Sequence, residues 1–202
     1  MKKFKREDLI NELKEDVHKL IEVIEFFKTV EKGKLVHQLD KERWSVVQIL
    51  EHLNAYNRYY LPAIESALAV PTKEDSAWFN SGILGDYFTR SMKPTNIFET
   101  KTRMKSMKNY CFPNNLNVDT VVNENLQQKQ KLLQLLETAK SSNLNSIRIP
   151  ITLSRLIRLK LGDVFRFLVA HEQRHMIQAR NTIKAVGVAT NKFPVILQVN
   201  QQ

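Results

Sequence analysis

The sequence predicts an all-α protein, a four-helix bundle whose second and third long helices are joined by a long connection. Three observations carry this. Apolar residues recur at helical spacing in four long segments, Gly (5) and Pro (6) are scarce in 202 residues, and Pro71, Gly82, Gly85, Pro94 and Pro113 fall together between 71 and 118.

The first helix spans Arg6 to about Val30, with Ile10, Leu13, Val17, Leu20, Ile21 and Ile24 forming an amphipathic stripe. The second begins in RWSVVQIL. Ser45 is placed to cap it, Gln48 can return the hydrogen bond, and Trp44 can pack on Ile49 as a hydrophobic staple. It should run to about Ala69, just ahead of Pro71, with Pro62 as a possible kink.

The connection from 71 to 118 is rich in aromatics, among them Trp78, Phe79, Tyr87 and Phe88, and GILGDYFTRSM can supply a short helix within it. Its length permits a crossover from one end of a bundle to the other. Trp78 and Phe79 are expected in the core rather than at a substrate pocket. The third helix covers about Asp119 to Lys140, with Val122, Leu126, Leu133 and Leu136 inward and a polar middle, QQKQK. The fourth starts near Asp163, a capping residue after Gly162, and stops before Gly187, where a left-handed residue is expected. Residues 188–202 form a C-terminal extension in which KFPVILQV packs on the bundle or on a second subunit. The whole, 1–202, reads as one domain.

Net charge is +10, but the basic runs KKFKR, KTRMKSMK and SRLIRLK are dispersed and lack interleaved aromatics or a recognition motif. They predict a solvated basic surface and no specific nucleic-acid partner. The chain shows no apolar stretch of about 20 residues, and no apolar segment follows the basic start, so a soluble, unexported protein without a membrane partner is expected. The single Cys111 excludes an internal disulfide and fits a reducing cytoplasm.

Two of the five histidines stand four apart in HEQRHMIQAR, on one face of the fourth helix. The stripe through His171 and His175 also takes in Val164, Phe167, Leu168, Gln178 and Thr182. On the second helix, the stripe through His52 takes in Gln48, Ile49, Tyr56, Tyr59 and Ala63. Three buried imidazoles need partners, and a divalent metal satisfies all three at once. Spacing alone leaves ordinary hydrogen-bonded histidines open, and does not choose the metal. Glu51 and Glu172 adjoin these histidines but should point outward or sideways, about 100° away. Glu15/His18 and Glu172/His175 both read Glu-x-x-His, as in di-iron carboxylate bundles. Glu15 and His18 lie off the apolar stripe of the first helix, which argues against that site.

WSVVQILEHL, followed much later by LGDVFRFLVAHEQRHMIQA, resembles the DinB-like (DinB/YfiT) superfamily, and specifically its second subfamily. The likeness spans about residues 9 to 187. It implies a four-helix bundle with a long crossover between the second and third helices, and a divalent metal, zinc or nickel, on His52, His171 and His175. It also implies a homodimer and a small-molecule substrate. Activities in the family imply a thiol-dependent S-transferase type of chemistry that uses a low-molecular-weight thiol. Gln178, Tyr56 and Tyr59 are candidate neighbours of the metal, able to orient a ligand. A metal-dependent hydrolase, or a non-catalytic stress protein that binds a metal or small ligand, is the alternative.

Overall fold

The computed structural model describes residues 2–71, 76–94, 96 and 108–197. In chain order the elements are β1 (Lys3–Lys5), α1 (Arg6–Lys28), α2 (Lys32–Val36), α3 (Val46–Leu68), β2 (Trp78–Asn80) and α4 (Ile83–Met92). They continue with α5 (Val118–Ala139), β3 (Arg148–Ile151), β4 (Ser154–Lys160) and α6 (Leu161–Ala185). The protein is all-α, built on the long helices α1, α3, α5 and α6.

Side-chain pairs fix the helix directions. Asn54 donates to the Val121 carbonyl at 3.0 Å, Arg58 to Glu124 at 2.7 Å, and Glu65 pairs with Lys131, so α3 and α5 run the same way. The connection between them therefore returns along the bundle, as expected. The ring centroids of His52 and His175 lie 4.6 Å apart and those of Tyr60 and Phe167 6.2 Å apart, so α6 runs opposite to α3.

The ends of the helices follow local chemistry. At α3 the backbone N–H of Gln48 donates to the Ser45 hydroxyl at 3.4 Å, and the N–H of Ser45 donates to the Gln48 side-chain carbonyl at 2.9 Å. This is the reciprocal box expected there, and Trp44 packs on the cluster containing Ile49. Pro62 lies inside α3, which continues through it. At the far end of α6, Gly187 has φ of 87°, and the N–H groups of Gly187 and Val188 donate to the carbonyls of Lys184 and Ile183.

The start of α6 differs from expectation. Lys160 holds the cap position without a side-chain hydrogen bond, and Asp163 lies inside the first turn. Its carboxylate is taken up elsewhere, accepting from the Ser81 hydroxyl at 2.7 Å and from the Gly82 N–H, at the start of α4, at 2.8 Å. Asp163 thus serves the neighbouring helix.

Two antiparallel two-stranded ribbons were not foreseen. β1 pairs with β2, setting Phe4 opposite Phe79, and β3 pairs with β4. The basic run KKFKR thereby contains β1 and leads into α1, SRLIRLK is β4, and 101–107 lies outside the described residues. Phe79 is fully buried and Trp78 is exposed on its strand, with Lys3 Nζ 4.4 Å over its ring.

The core is divided. One apolar cluster gathers Leu9 to Val17, Tyr60 to Ile64, Leu132 to Ala139 and Leu161 to Val169; a second gathers Leu20 to Phe27, Val46 to Leu53, Val121, Val122 and Met176 to Ile183. Between them α3, α5 and α6 contribute buried polar groups: Asn54, Asn57, Asn125, Gln128, Lys129, His171 and Glu172. The polar middle of α5 therefore faces inward at Gln128 and Lys129, and Leu126 and Leu133 are only half-buried, a correction to the expected register. In the extension, Phe193 and Ile196 pack on the bundle against α1, with the Phe193 ring 5.2 Å from that of Phe26.

Candidate metal centre

The polar layer places His52, on α3, opposite His171 and His175, on α6. One ring nitrogen from each lies within 4.8 Å of one from each of the others, and His52 Nε2 is 3.3 Å from His171 Nε2. The rings meet because α3 and α6 are antiparallel and each histidine stands on the stripe facing the other helix.

Two of the rings are oriented from behind. His52 Nδ1 lies 2.9 Å from the carbonyl of Tyr110, and His175 Nδ1 lies 2.8 Å from Gln178 Oε1. Both acceptors take an Nδ1–H, which leaves each Nε2 with a lone pair for a shared ligand. His171 Nδ1 is buried without a hydrogen-bond partner among the described residues, and its ring stacks on Phe167 at 5.7 Å and 9°. Gln48 strengthens the same attachment by donating to the Phe112 carbonyl at 2.7 Å. One face of α3 thus grips residues 110–112 at two points.

Burial keeps these imidazoles neutral, the form that binds metals. It lowers His52, against the opposing pull of the Tyr110 carbonyl, and lowers His171 well below the usual value, helped by the neighbouring histidines. His175 is brought down to about 3 by burial first, then by His52. Tyr56 packs its ring 4.5 Å from His171, and burial together with Tyr110 pushes its phenol up to about 12. It remains a protonated donor at neutral pH.

All three histidines line a cavity of about 1130 Å³, slightly larger than the usual small-molecule site. Trp44, Tyr56, Tyr60 and Phe167 give it an aromatic wall, and α4 adds Tyr87 and Phe88. Gln178 and Tyr56 are where the spacing put them. Tyr59 is not: it lies outside the lining, its hydroxyl at 3.5 Å from the Ile151 carbonyl, and Tyr60 takes the place beside the cavity. One position along α3 turns the side chain by about 100°. Trp44, read as a staple, also stands 5.0 Å from the His52 ring. Tyr110 was missed because its contribution is a backbone carbonyl from an irregular segment. Arg174, one residue off the histidine stripe, also lines the cavity.

The carboxylates beside the histidines turn sideways into the bundle. Glu172 pairs with Lys129 at 2.7 Å and accepts from Asn57 at 2.9 Å, while Glu51 pairs with Arg58 at 2.7 Å. Neither supplies an oxygen to the histidine group. Glu15 and His18 are exposed on α1, so the Glu-x-x-His pair there is not a site.

The donor set is three imidazole nitrogens with two outer hydrogen bonds already made, and it fits a divalent ion that accepts nitrogen ligands. Residues 10–179 match the family model of the DinB superfamily, and the chain belongs to that superfamily. Neither the curated proteins nor the solved structures return a match to it. Among the described residues no helix is long and apolar enough to cross a membrane.

Proposed function

We propose that the protein is a metal-dependent enzyme in which His52, His171 and His175 hold one divalent ion, zinc or nickel, and that it transfers the sulfur of a low-molecular-weight thiol to a small electrophile. The observation that carries the reading is the convergence of three neutral imidazoles in the wall of a cavity large enough for a reactant. When bound, such an ion supplies a Lewis acid that keeps a thiol deprotonated near neutral pH.

The chain's own residues do the rest. The Tyr110 carbonyl and Gln178 fix the ring orientations of His52 and His175. The Tyr56 hydroxyl, protonated at neutral pH, can donate to a leaving group or to the electrophile's acceptor atom. Trp44, Tyr60 and Phe167 offer an apolar bed that excludes water. Family membership supports a pairing of two copies, and a single cysteine in the sequence fits a reducing, cytoplasmic setting.

Metal analysis of the purified protein beside a His52→Ala, His171→Ala double variant tests the centre. Metal is expected in the first and not in the second, and equal content in both would discard the three-histidine assignment. Thiol-dependent loss of a chloro-aromatic then tests the activity: sulfur displaces chloride and the thiol proton leaves to solvent. A rate no higher than that of chelator-treated protein would leave a binding protein in place of an enzyme.

A further inference from the structure

The cavity changes character along α6. Its lining residues on that helix run from Phe167 to Ala185, a length of about 27 Å at 1.5 Å per residue, and His171 and His175 stand inside the run. Because α3 is antiparallel to α6, Trp44 lies beside His175 and Tyr60 beside Phe167, with ring centroids 6.5 Å and 6.2 Å apart. The end on the Trp44 side takes in Glu42, Gln178, Asn181 and Thr182, all polar. The end on the Phe167 side takes in Phe88, Met92, Ile151 and Leu159, all apolar.

Polar groups at this apolar end are engaged by the protein itself. The Tyr60 hydroxyl accepts from the Thr152 N–H at 3.2 Å, and the Ser91 hydroxyl donates to the Phe88 carbonyl at 2.8 Å. A path of rings leads outward from the histidines: Phe167 stacks on His171, Phe88 lies 6.3 Å from Phe167, and Tyr87 lies 5.7 Å from Phe88. Exposed lining residues mark the mouth, Tyr87 on α4 at 58% and Leu153 in the β3–β4 turn at 60%. Ile83, one turn before Tyr87, is exposed as well, so the apolar surface continues outside the cavity. Water against such a wall finds few partners, and hydrocarbon displaces it favourably.

We propose that this end of the cavity is a site for a hydrocarbon chain, and that the electrophile of the proposed reaction is a lipophilic molecule. Its reactive end stands at the histidines, and its chain passes Phe167 and Phe88 toward Tyr87 and Leu153. The side chains along that path then decide which chain lengths are accepted. This inference rests on the reading of the cavity as the substrate site, but it does not require the metal.

The test is calorimetric titration of the full chain with the neutral 1-alkanols from butanol to decanol. Each added methylene is expected to tighten binding about fourfold. Leu153→Asp, at the mouth, should abolish the gain at the long end of the series and leave butanol binding unchanged. In the unsubstituted protein, nuclear Overhauser contacts from the terminal methyl of octanol should reach the rings of Phe88 and Phe167 and not that of Trp44, a reading independent of whether the variant folds. Affinity that does not rise with chain length, decanol binding undiminished by Leu153→Asp, or methyl contacts at Trp44 instead would overturn the proposal. Because these alcohols carry no electrophile and metal content is measured separately, loss of the three-histidine assignment and loss of the chain site are distinguishable.

Discussion

Lys129 Nζ lies 2.7 Å from Glu172 Oε2, and the two side chains are 0% and 1% exposed. This ion pair joins α5 to α6 one residue from His171, inside the polar layer that separates the two apolar clusters. Removing one partner leaves an uncompensated buried charge, which typically costs about 3–5 kcal/mol. Lys129→Met is expected to destabilise by that order, and the Lys129→Met, Glu172→Gln double variant by less than the sum of the singles. Urea midpoints at constant slope measure both. An additive double variant would mean that the pair is not coupled.

The same layer shows where the sequence was readable and where it was not. The 3.6-residue stripes located all four long helices, and the Ser45 box and Gly187 marked two of their ends, because these are local signals. The histidine group was readable from two motifs and a family resemblance, although only antiparallel packing of α3 on α6 brings the rings together. QQKQK gave no reliable register, since its inward-facing Lys129 is compensated by a residue 43 positions away in the chain. The β3–β4 ribbon had a signal that was passed over: Ile147, Ile149 and Ile151 alternate with period two and are all buried. β1 and β2, three residues each, are held by distant pairing and carry no comparable pattern.

Gly85 leaves room for Asp163. A Cβ there would come 2.3 Å from the Asp163 Cγ, and that carboxylate is already held by Ser81 and Gly82. Gly85→Ala must displace Asp163 or shift α4 from α6, with a loss of about 1–3 kcal/mol. Because Tyr87 and Phe88 of α4 line the cavity, ligand binding should weaken as well. An unchanged melting temperature would show that the two helices separate without cost.

Acid should destabilise the metal-free protein through His175. Its folded value is about 3, against roughly 6.5 for an unfolded histidine, so between these values the unfolded chain binds the extra proton. Stability is then retained above about pH 6.5 and lost as pH falls toward 3, by at most on the order of 1.4 kcal/mol per pH unit from this residue. His175→Gln removes the contribution. Between pH 7 and 5 the melting temperature of this variant should fall less than that of the unsubstituted, chelator-treated protein, and parallel curves would contradict the assignment.

The hydrogen bond between His175 Nδ1 and Gln178 Oε1, 2.8 Å long, gives the most direct test of how the centre is oriented. An acceptor at Nδ1 fixes the tautomer that presents Nε2 to an ion and holds the ring plane; loss of such a partner typically costs 10–100-fold in metal affinity. Gln178→Ala removes the acceptor and leaves a half-buried imidazole free to turn. Gln178→Glu keeps an oxygen at about the same place and adds negative charge, which makes the ring a stronger donor to the metal. Competition of each variant against a chromogenic zinc chelator at pH 7.5 should rank Glu at or above Gln, and Ala at least about tenfold below. If the alanine variant held zinc as tightly as the unsubstituted protein, the Gln178 contact would be incidental, and the orientation of His175 would have to come from Trp44, whose ring stacks near it at 6.5 Å.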